Sequence, residues 1–415
     1  MGFASAWLDK RTLFPRLIGT KPDKNTGIII VVPAYNEPVI TSLLNSLSRC
    51  ESPECKSEVV VVVNAPPDAD NEALRINEKC INDIELWKDQ NSSFFNLHAV
   101  STGKSAAREW GVGMARKAGM DEALRRFDDI GNPFGIIVSL DADCTVDENY
   151  FTSLENDFLN QNKKMACSIA FAHDLTGDNN AVNSIIQYEL HLRYYIQSLN
   201  FAGFPYAFNT VGSAMAVRAL QYLKCGGMNR RQAGEDFYFI QKLVEMGGYF
   251  SLNSTIVHPS SRQSDRVPFG TGATLGKLAE GNEEIFTTYN PDAFEELRTL
   301  FSSAGYLWHY SKDDLVTFFN KLPAGLRQFM KEDEFIEKIS EIQRNTSDEK
   351  SFRKRFFVWF NMFRIVKYLN YVHLSLFIKQ PVVVAAMKML NLQGTNDVPQ
   401  NSMDLLNYYR KLESV

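Results

Sequence analysis

Ile136-Ile137-Val138-Ser139-Leu140-Asp141-Ala142-Asp143 is an apolar run that stops abruptly at two carboxylates one residue apart. The run reads as a buried strand. Residues i and i+2 of an extended segment point the same way. Asp141 and Asp143, just past the strand end, can therefore converge on one hard cation, because like charges this close repel unless a metal or a cationic group joins them. The plain alternative is a pair of turn carboxylates ahead of a helix that starts near Asp147.

Upstream, Ile28-Ile29-Ile30-Val31-Val32 reads as another buried strand, stopped by Pro33. Val39, Leu43, Leu44 and Leu47 then fall on one helical face, and Glu58–Val63 supplies the next strand, completing a βαβ unit. The alternation predicts a helix over 71–88, a strand over 96–100 and a helix from Lys104 to about Phe127 before the aspartate strand. Beyond it come a helix over 147–160, a strand over 165–172, a long helix over 181–200 and a strand over 211–217. Such alternation is the signature of an α/β sheet with helices on its faces. Ligands of open α/β sheets gather at the carboxyl ends of strands, where residues 33–37, 64–70, 102–104 and 141–143 all fall. A Gly-rich polar stretch over 258–282 precedes a tail of helical pattern. The expected division is an N-terminal extension (1–26), an α/β domain (27–285) and a helical region (286–415).

With 45% hydrophobic and 22% charged residues, the 415-residue chain has the composition of an ordered globule. Its formal net charge of −5 argues against a broad nucleic-acid face. The six cysteines show no zinc spacing and read as free thiols of a reducing compartment. The N-terminal residues meet charge too soon for the apolar core of a signal peptide. Residues 356–390 are apolar but are broken by Arg364, Lys367, Lys379, Gln380 and Pro381, short of the roughly 20 residues of a membrane span. The expectation is a cytoplasmic protein, with peripheral contact at the inner face of a membrane left open. The tail aromatics Phe352, Phe356, Phe357, Trp359, Phe360 and Phe363, interleaved with Arg353, Lys354, Arg355 and Arg364, suit an interfacial membrane helix, a dimer face or a helix packed on the α/β domain.

Four motifs occur in order over residues 27–260: Val32-Pro33-Ala34-Tyr35-Asn36-Glu37-Pro38; Gly103-Lys104; Leu140-Asp141-Ala142-Asp143; and Gly226-Gly227-Met228 leading to Gly234-Glu235-Asp236-Phe237. Together they resemble family 2 glycosyltransferases of the GT-A fold. The resemblance implies a Rossmann-like nucleotide-diphospho-sugar transferase domain with a helical C-terminal extension. It implies a UDP- or GDP-sugar donor and a Mn²⁺ or Mg²⁺ ion held by Asp141 and Asp143, with His258 as a further ligand. The ion acts as a Lewis acid on the leaving diphosphate.

By the same resemblance Asp236 is the general base of an inverting displacement and Glu235 positions sugar or acceptor, although carboxylates at a helix N-terminus are also ordinary caps. Pro33, Tyr35, Asn36, Glu37, Asn64, Asp68, Lys104 and Ala142 are expected on the nucleotide sugar together with the two aspartates. The second loop departs from the family: Asn64-Ala65-Pro66-Pro67-Asp68-Ala69-Asp70 stands where many members have Asp-Asp-Gly-Ser, so base recognition stays open. Gln263-Ser264-Asp265-Arg266 partly resembles the QxxRW motif of processive synthases, but Val267 replaces the tryptophan, which points to a non-processive enzyme. Arg262 and Arg266 are expected to clamp the diphosphate from a lid hinged at Gly270, Gly272 and Gly276. Gly103-Lys104-Ser105 fails as a phosphate-binding P-loop, because His98 stands where its first glycine belongs. Three rivals remain. A retaining transferase would use the same fold, and a nucleotide-sugar-binding protein would lack catalysis. A sugar-1-phosphate nucleotidyltransferase would want a Gly-rich basic loop in place of Pro-Ala-Tyr-Asn-Glu.

Overall fold

The structure is a computed structural model that describes residues 2–104, 110–159, 163–176, 179–229, 234–260 and 286–413. In chain order the elements up to residue 258 are α1 (Ser5–Arg11), β1 (Thr26–Ala34), α2 (Ile40–Ser48), β2 (Lys56–Ala65), α3 (Asn71–Gln90), β3 (Phe95–Lys104), α4 (Val112–Asp129), β4 (Ile136–Ser139), β5 (Thr145–Val146), α5 (Tyr150–Leu159), β6 (Ala166–Phe171), α6 (Asn179–Phe201), β7 (Met215–Arg218), α7 (Ala219–Lys224), α8 (Glu235–Met246) and β8 (Tyr249–His258).

The β-branched runs build the centre of one eight-stranded sheet of order β3-β2-β1-β4-β7-β6-β8-β5. Ile28–Val32, Val59–Val62 and Ile137–Val138 are fully buried, as strands covered by helices on both faces must be. β1 runs parallel to both β2 and β4, with Val31 opposite Val60 on one side and Ser139 on the other. The chain moves outward through β2 and β3 and then returns to β4, so the strand order reverses at β1/β4. A crevice opens beside the carboxyl ends of strands at such a switch point. Antiparallel β7 then joins β4 to β6.

α4 lies close on this sheet because its inward face is small. A Cβ on Gly119 would stand 2.3 Å from Val31 Cγ1 and 2.9 Å from Val62 Cγ2. The helix expected from Lys104 begins instead at Val112, and Lys104 ends β3. Gly103 at φ 67° and Gly111 at φ 140° take backbone conformations that no helix tolerates. The strand expected over 211–217 is Met215–Arg218, preceded by a turn in which Ala214 N–H donates to the Val211 carbonyl at 3.0 Å. The helix expected from Asp147 starts at Tyr150, because the Asp147 backbone pairs with β8 through the Ile256 carbonyl at 3.1 Å.

The chain forms two compact units, one drawn from residues 1–185 and 210–280 and the other from residues 186–209 and 281–413. The second is helical apart from a two-stranded antiparallel pair, Thr287–Thr288 with Gln380–Pro381. Within it the second half of α6 meets the helix Ser402–Glu413. Arg410 embraces buried Glu189 at 2.7 and 2.8 Å, and Arg193 reaches Glu189 at 2.8 Å and Glu413. Four of the six tail aromatics are core residues of this unit, while Trp359 and Phe363 are half-buried: Phe352, Phe356, Phe357 and Phe360 are buried, with the Phe357 ring 5.3 Å from Phe301 and 5.9 Å from Phe204. Burial removes these four as a membrane or dimer face. No helix among the described residues is long and apolar enough to cross a membrane.

Candidate active site

The parallel strands β1 to β4 deliver their terminal residues to one edge of the sheet. β1 runs one residue past Pro33, where the sequence suggested a stop, and ends at Ala34 ahead of Tyr35, Asn36 and Glu37; Asn64 lies near the end of β2; Lys104 ends β3; and Asp141, Ala142 and Asp143 follow β4. Asn36 is the single non-glycine residue of positive φ among the described residues, at 50°, a conformation that asparagine accepts better than most. Its N–H donates to Asn77 Oδ1 at 2.9 Å, while the Asn77 amide donates to the Asn64 carbonyl at 3.0 Å. Asn77, buried on α3, thus ties the first strand-end loop to the second. Asn64 in turn donates its amide to the Gly111 carbonyl at 3.1 Å, joining the second loop to the start of α4. Buried Glu37 accepts from the Val39 N–H at 3.1 Å and so shapes its own loop. Tyr35 packs edge-on against Trp110 at 5.4 Å, and partial burial, then Asp70 and Asp68, raise its hydroxyl above the ordinary range. Asp68 itself is exposed, and Asp70 caps α3 by accepting from Ala73 N–H at 2.7 Å.

The cation that joins Asp141 is a guanidinium. Arg116, buried on α4, donates from Nη2 to Asp141 Oδ1 at 2.6 Å and from Nη1 to Glu235. One side chain therefore links the end of β4 to the start of α8. Three carboxylates, Asp141, Glu235 and Asp236, hold Arg116 above its ordinary pKa against the opposing effect of burial. Burial pushes Glu235 up to about 7 despite Arg116, with Asp236 adding to the rise. Asp236 is raised as well, again by burial first, while Arg116 and the N–H groups of Phe237 and Gly212 favour its charged form. Two adjacent carboxylates beside one guanidinium thus bind their protons more tightly than free carboxyls do. The guanidinium has room because residue 212 lacks a side chain: a Cβ there would stand 2.6 Å from Arg116 Nη1.

Gly234 precedes α8 at φ 67° and has no side chain with which to cap it, so the N-terminal partial charge faces the carboxylates of its own first turn.

His258 ends β8 opposite Thr145 of β5, the strand that follows the Asp141–Asp143 turn. Its Nε2 lies 2.8 Å from Asp147 Oδ1 and its Nδ1 3.1 Å from the Ala172 carbonyl, so both ring nitrogens are engaged. Among the described residues no three His, Cys, Asp or Glu side chains gather as a metal cluster. The donor set still fits one class of ion. Asp141 is a third exposed and keeps Oδ2 beyond the atom that Arg116 holds, and Asp143 stands one residue on. Mg²⁺ commonly takes only one or two carboxylates and completes its shell with water and phosphate oxygens. Ligation by His258 would require one ring nitrogen to leave its present partner, Asp147 or the Ala172 carbonyl. Arg262, Arg266 and the expected lid lie outside the described residues.

Three residues that position this site carry no sequence motif: Arg116, Asn77 and Gly212. Arg116 and Asn77 sit on helix faces whose neighbours are apolar, and their only sequence signal is a polar residue at a buried helical phase.

The fold and the edge together define an α/β domain with acidic strand-end loops. Residues 29–220 match the family described as Glycosyl transferase family 2, so this stretch of the chain is similar to that family. Among solved structures, S. aureus TarS 1-349 in complex with UDP-GlcNAc is similar over 79% of this chain and 89% of its own, at 15% identity and a TM-score of 0.41. Glucosyl-3-phosphoglycerate synthase from Mycobacterium tuberculosis, in complex with Mn²⁺, uridine-diphosphate and glucosyl-3-phosphoglycerate, is similar over 64% of this chain and 84% of its own, at 14% identity and a TM-score of 0.35. No curated protein matches the sequence.

Proposed function

We propose that the protein is a divalent-metal-dependent, non-processive, inverting glycosyltransferase that moves a sugar from a UDP- or GDP-sugar to an acceptor hydroxyl. The observation that supports this reading is the double contact of Arg116, which holds Asp141 and Glu235 on one guanidinium and so ties the first turn of α8 to the Asp141–Asp143 turn. Asp141 and Asp143 would hold Mg²⁺ or Mn²⁺, which when bound neutralises charge on the departing diphosphate. Asp236 takes the proton from the attacking acceptor hydroxyl, and Arg116 and the N–H groups of Phe237 and Gly212 favour the ionised form that this needs. Glu235 positions sugar or acceptor next to it. The Pro33–Glu37 loop, Asn64, Asp68 and Lys104 form the nucleoside side of the crevice. Release after one transfer is the reading suggested by Val267, which stands where the processive QxxRW motif has its tryptophan. We place the reaction in the cytoplasm, where the free cysteines stay reduced.

A screen of UDP- and GDP-sugars tests the reading by two signals, the rise in melting temperature and the release of nucleoside diphosphate, each with Mn²⁺ and with EDTA. The proposal expects at least one sugar to give both signals in Mn²⁺ and neither in EDTA. Binding of equal strength in EDTA would contradict the metal assignment.

A further inference from the structure

The loop between the helices Met362–Val372 and Val382–Leu392 leaves its apolar side chains in solvent. Leu374 and Ile378 are each 85% exposed, the highest values among the large hydrophobic side chains of the described residues, and Leu376, Tyr371 and Val384 join them between residues 371 and 384. Single exposed leucines are ordinary, but five such side chains on one short stretch are not. The helical spacing of Lys367, Tyr371 and Leu374 carries one exposed stripe down into the loop, and Lys379 follows Ile378 directly. The charge that this stretch of sequence carries is of one sign, although Lys388 at its far end pairs with Asp292. Residues 350–396 contain eight lysines and arginines and no aspartate or glutamate, in a chain whose acidic residues outnumber its basic ones by 49 to 44.

We propose that this loop is an interfacial anchor for an anionic lipid bilayer. Leu374, Leu376 and Ile378 enter the boundary between headgroups and acyl chains, and Lys367 and Lys379 meet lipid phosphates on either side. An apolar tip ringed by cations is the composition that binds such an interface, where apolar burial and attraction to anionic headgroups add. A second copy of the chain suits the face less well, because pairing it with itself would set lysines against lysines with no carboxylate in the segment to relieve them. The anchor is separate from Phe352, Phe356, Phe357 and Phe360, which are core. It does not depend on the transfer reaction.

Sedimentation of the full chain with vesicles tests the proposal, using phosphatidylcholine alone and phosphatidylcholine with about one third phosphatidylglycerol. The wild type should bind the anionic vesicles, and bind them less as salt is raised or phosphatidylglycerol is left out. Leu374→Ser with Ile378→Ser should weaken binding on the order of 100-fold, the loss expected for two apolar side chains no longer buried. Lys367→Glu with Lys379→Glu should remove most of the preference for anionic vesicles. All of these side chains are exposed, so the variants should melt as the wild type does. Absence of vesicle binding by the wild type would overturn the proposal. So would a concentration-dependent dimer that the serine variant turns into monomer, with neither form binding vesicles, since the face would then join two copies of the chain.

Discussion

At the scale of residues, the transfer site rests on the balance among Arg116, Asp141, Glu235 and Asp236. A base must be ionised to accept a proton, and burial raises both Glu235 and Asp236, so activity should climb with pH along an acid limb above the ordinary carboxylate range. Arg116→Gln removes the cation that favours the ionised form of Asp236, which should move that limb to higher pH. Glu235 holds its proton up to about 7, so Glu235→Gln takes no charge from beside Asp236 below that pH and should move the limb little. A pH–rate profile of donor turnover in the two variants checks both outcomes, and a role for Arg116 limited to packing would leave the limb where it was. Stability follows the same group with its own sign. Between its ordinary value near 4.5 and about 7, folded Glu235 keeps a proton that the unfolded chain releases, so stability falls as pH rises through that window. Denaturant midpoints at pH 5 and pH 7 should show this fall, and Glu235→Gln should reduce it. Of this cluster the sequence displayed the three carboxylates, because motifs mark them, but not Arg116, which no motif marks.

At the scale of elements, the sheet was legible and its edges were not. Ile28–Val32, Val59–Val63 and Ile136–Val138 announce themselves by unbroken β-branched runs that two buried faces demand. The start of α4 was misread because the apolar phase continues upstream through Ala106 and Ala107, while Gly111, whose φ decides the matter, reads as one glycine among several. The stability of α4 on the sheet leans on a buried pair. Arg126 donates two hydrogen bonds to Glu58 of β2, one at 2.7 Å, and both side chains are almost wholly buried. Arg126→Met should therefore destabilise by about 3–5 kcal/mol, because it leaves the Glu58 carboxylate buried without its cation. Replacing both, with Glu58→Leu added, should recover much of the loss, and denaturant unfolding of the single and double variants measures it.

At the scale of the whole molecule, the second unit carries a titrating group of opposite sign to Glu235. Burial lowers His191 from 6.5 to about 4, and its Nδ1 lies 2.8 Å from Thr288 Oγ1. The unfolded chain gains this proton first, so the contribution of His191 is complete above pH 6.5 and is lost as pH falls toward 4. The loss should amount to about 1–2 kcal/mol by pH 5, and His191→Leu should flatten it in denaturant midpoints taken between pH 7 and pH 5. The helical pattern of the tail was readable from periodicity, but the place of residues 186–209 with that tail was not, since an unbroken helix carries no mark of where one unit takes over from another.

The claim on which the account turns is that Asp236 is the base of the transfer. It is tested most directly by the rate at which Asp236→Asn releases nucleoside diphosphate from the donor found in the screen, measured beside the affinity of that variant for the same donor. The account predicts a rate roughly 10²–10⁴-fold below wild type with donor affinity nearly unchanged. A near-normal rate would contradict it, leaving Asp236 as the first-turn carboxylate of α8 and a retaining displacement as the better reading.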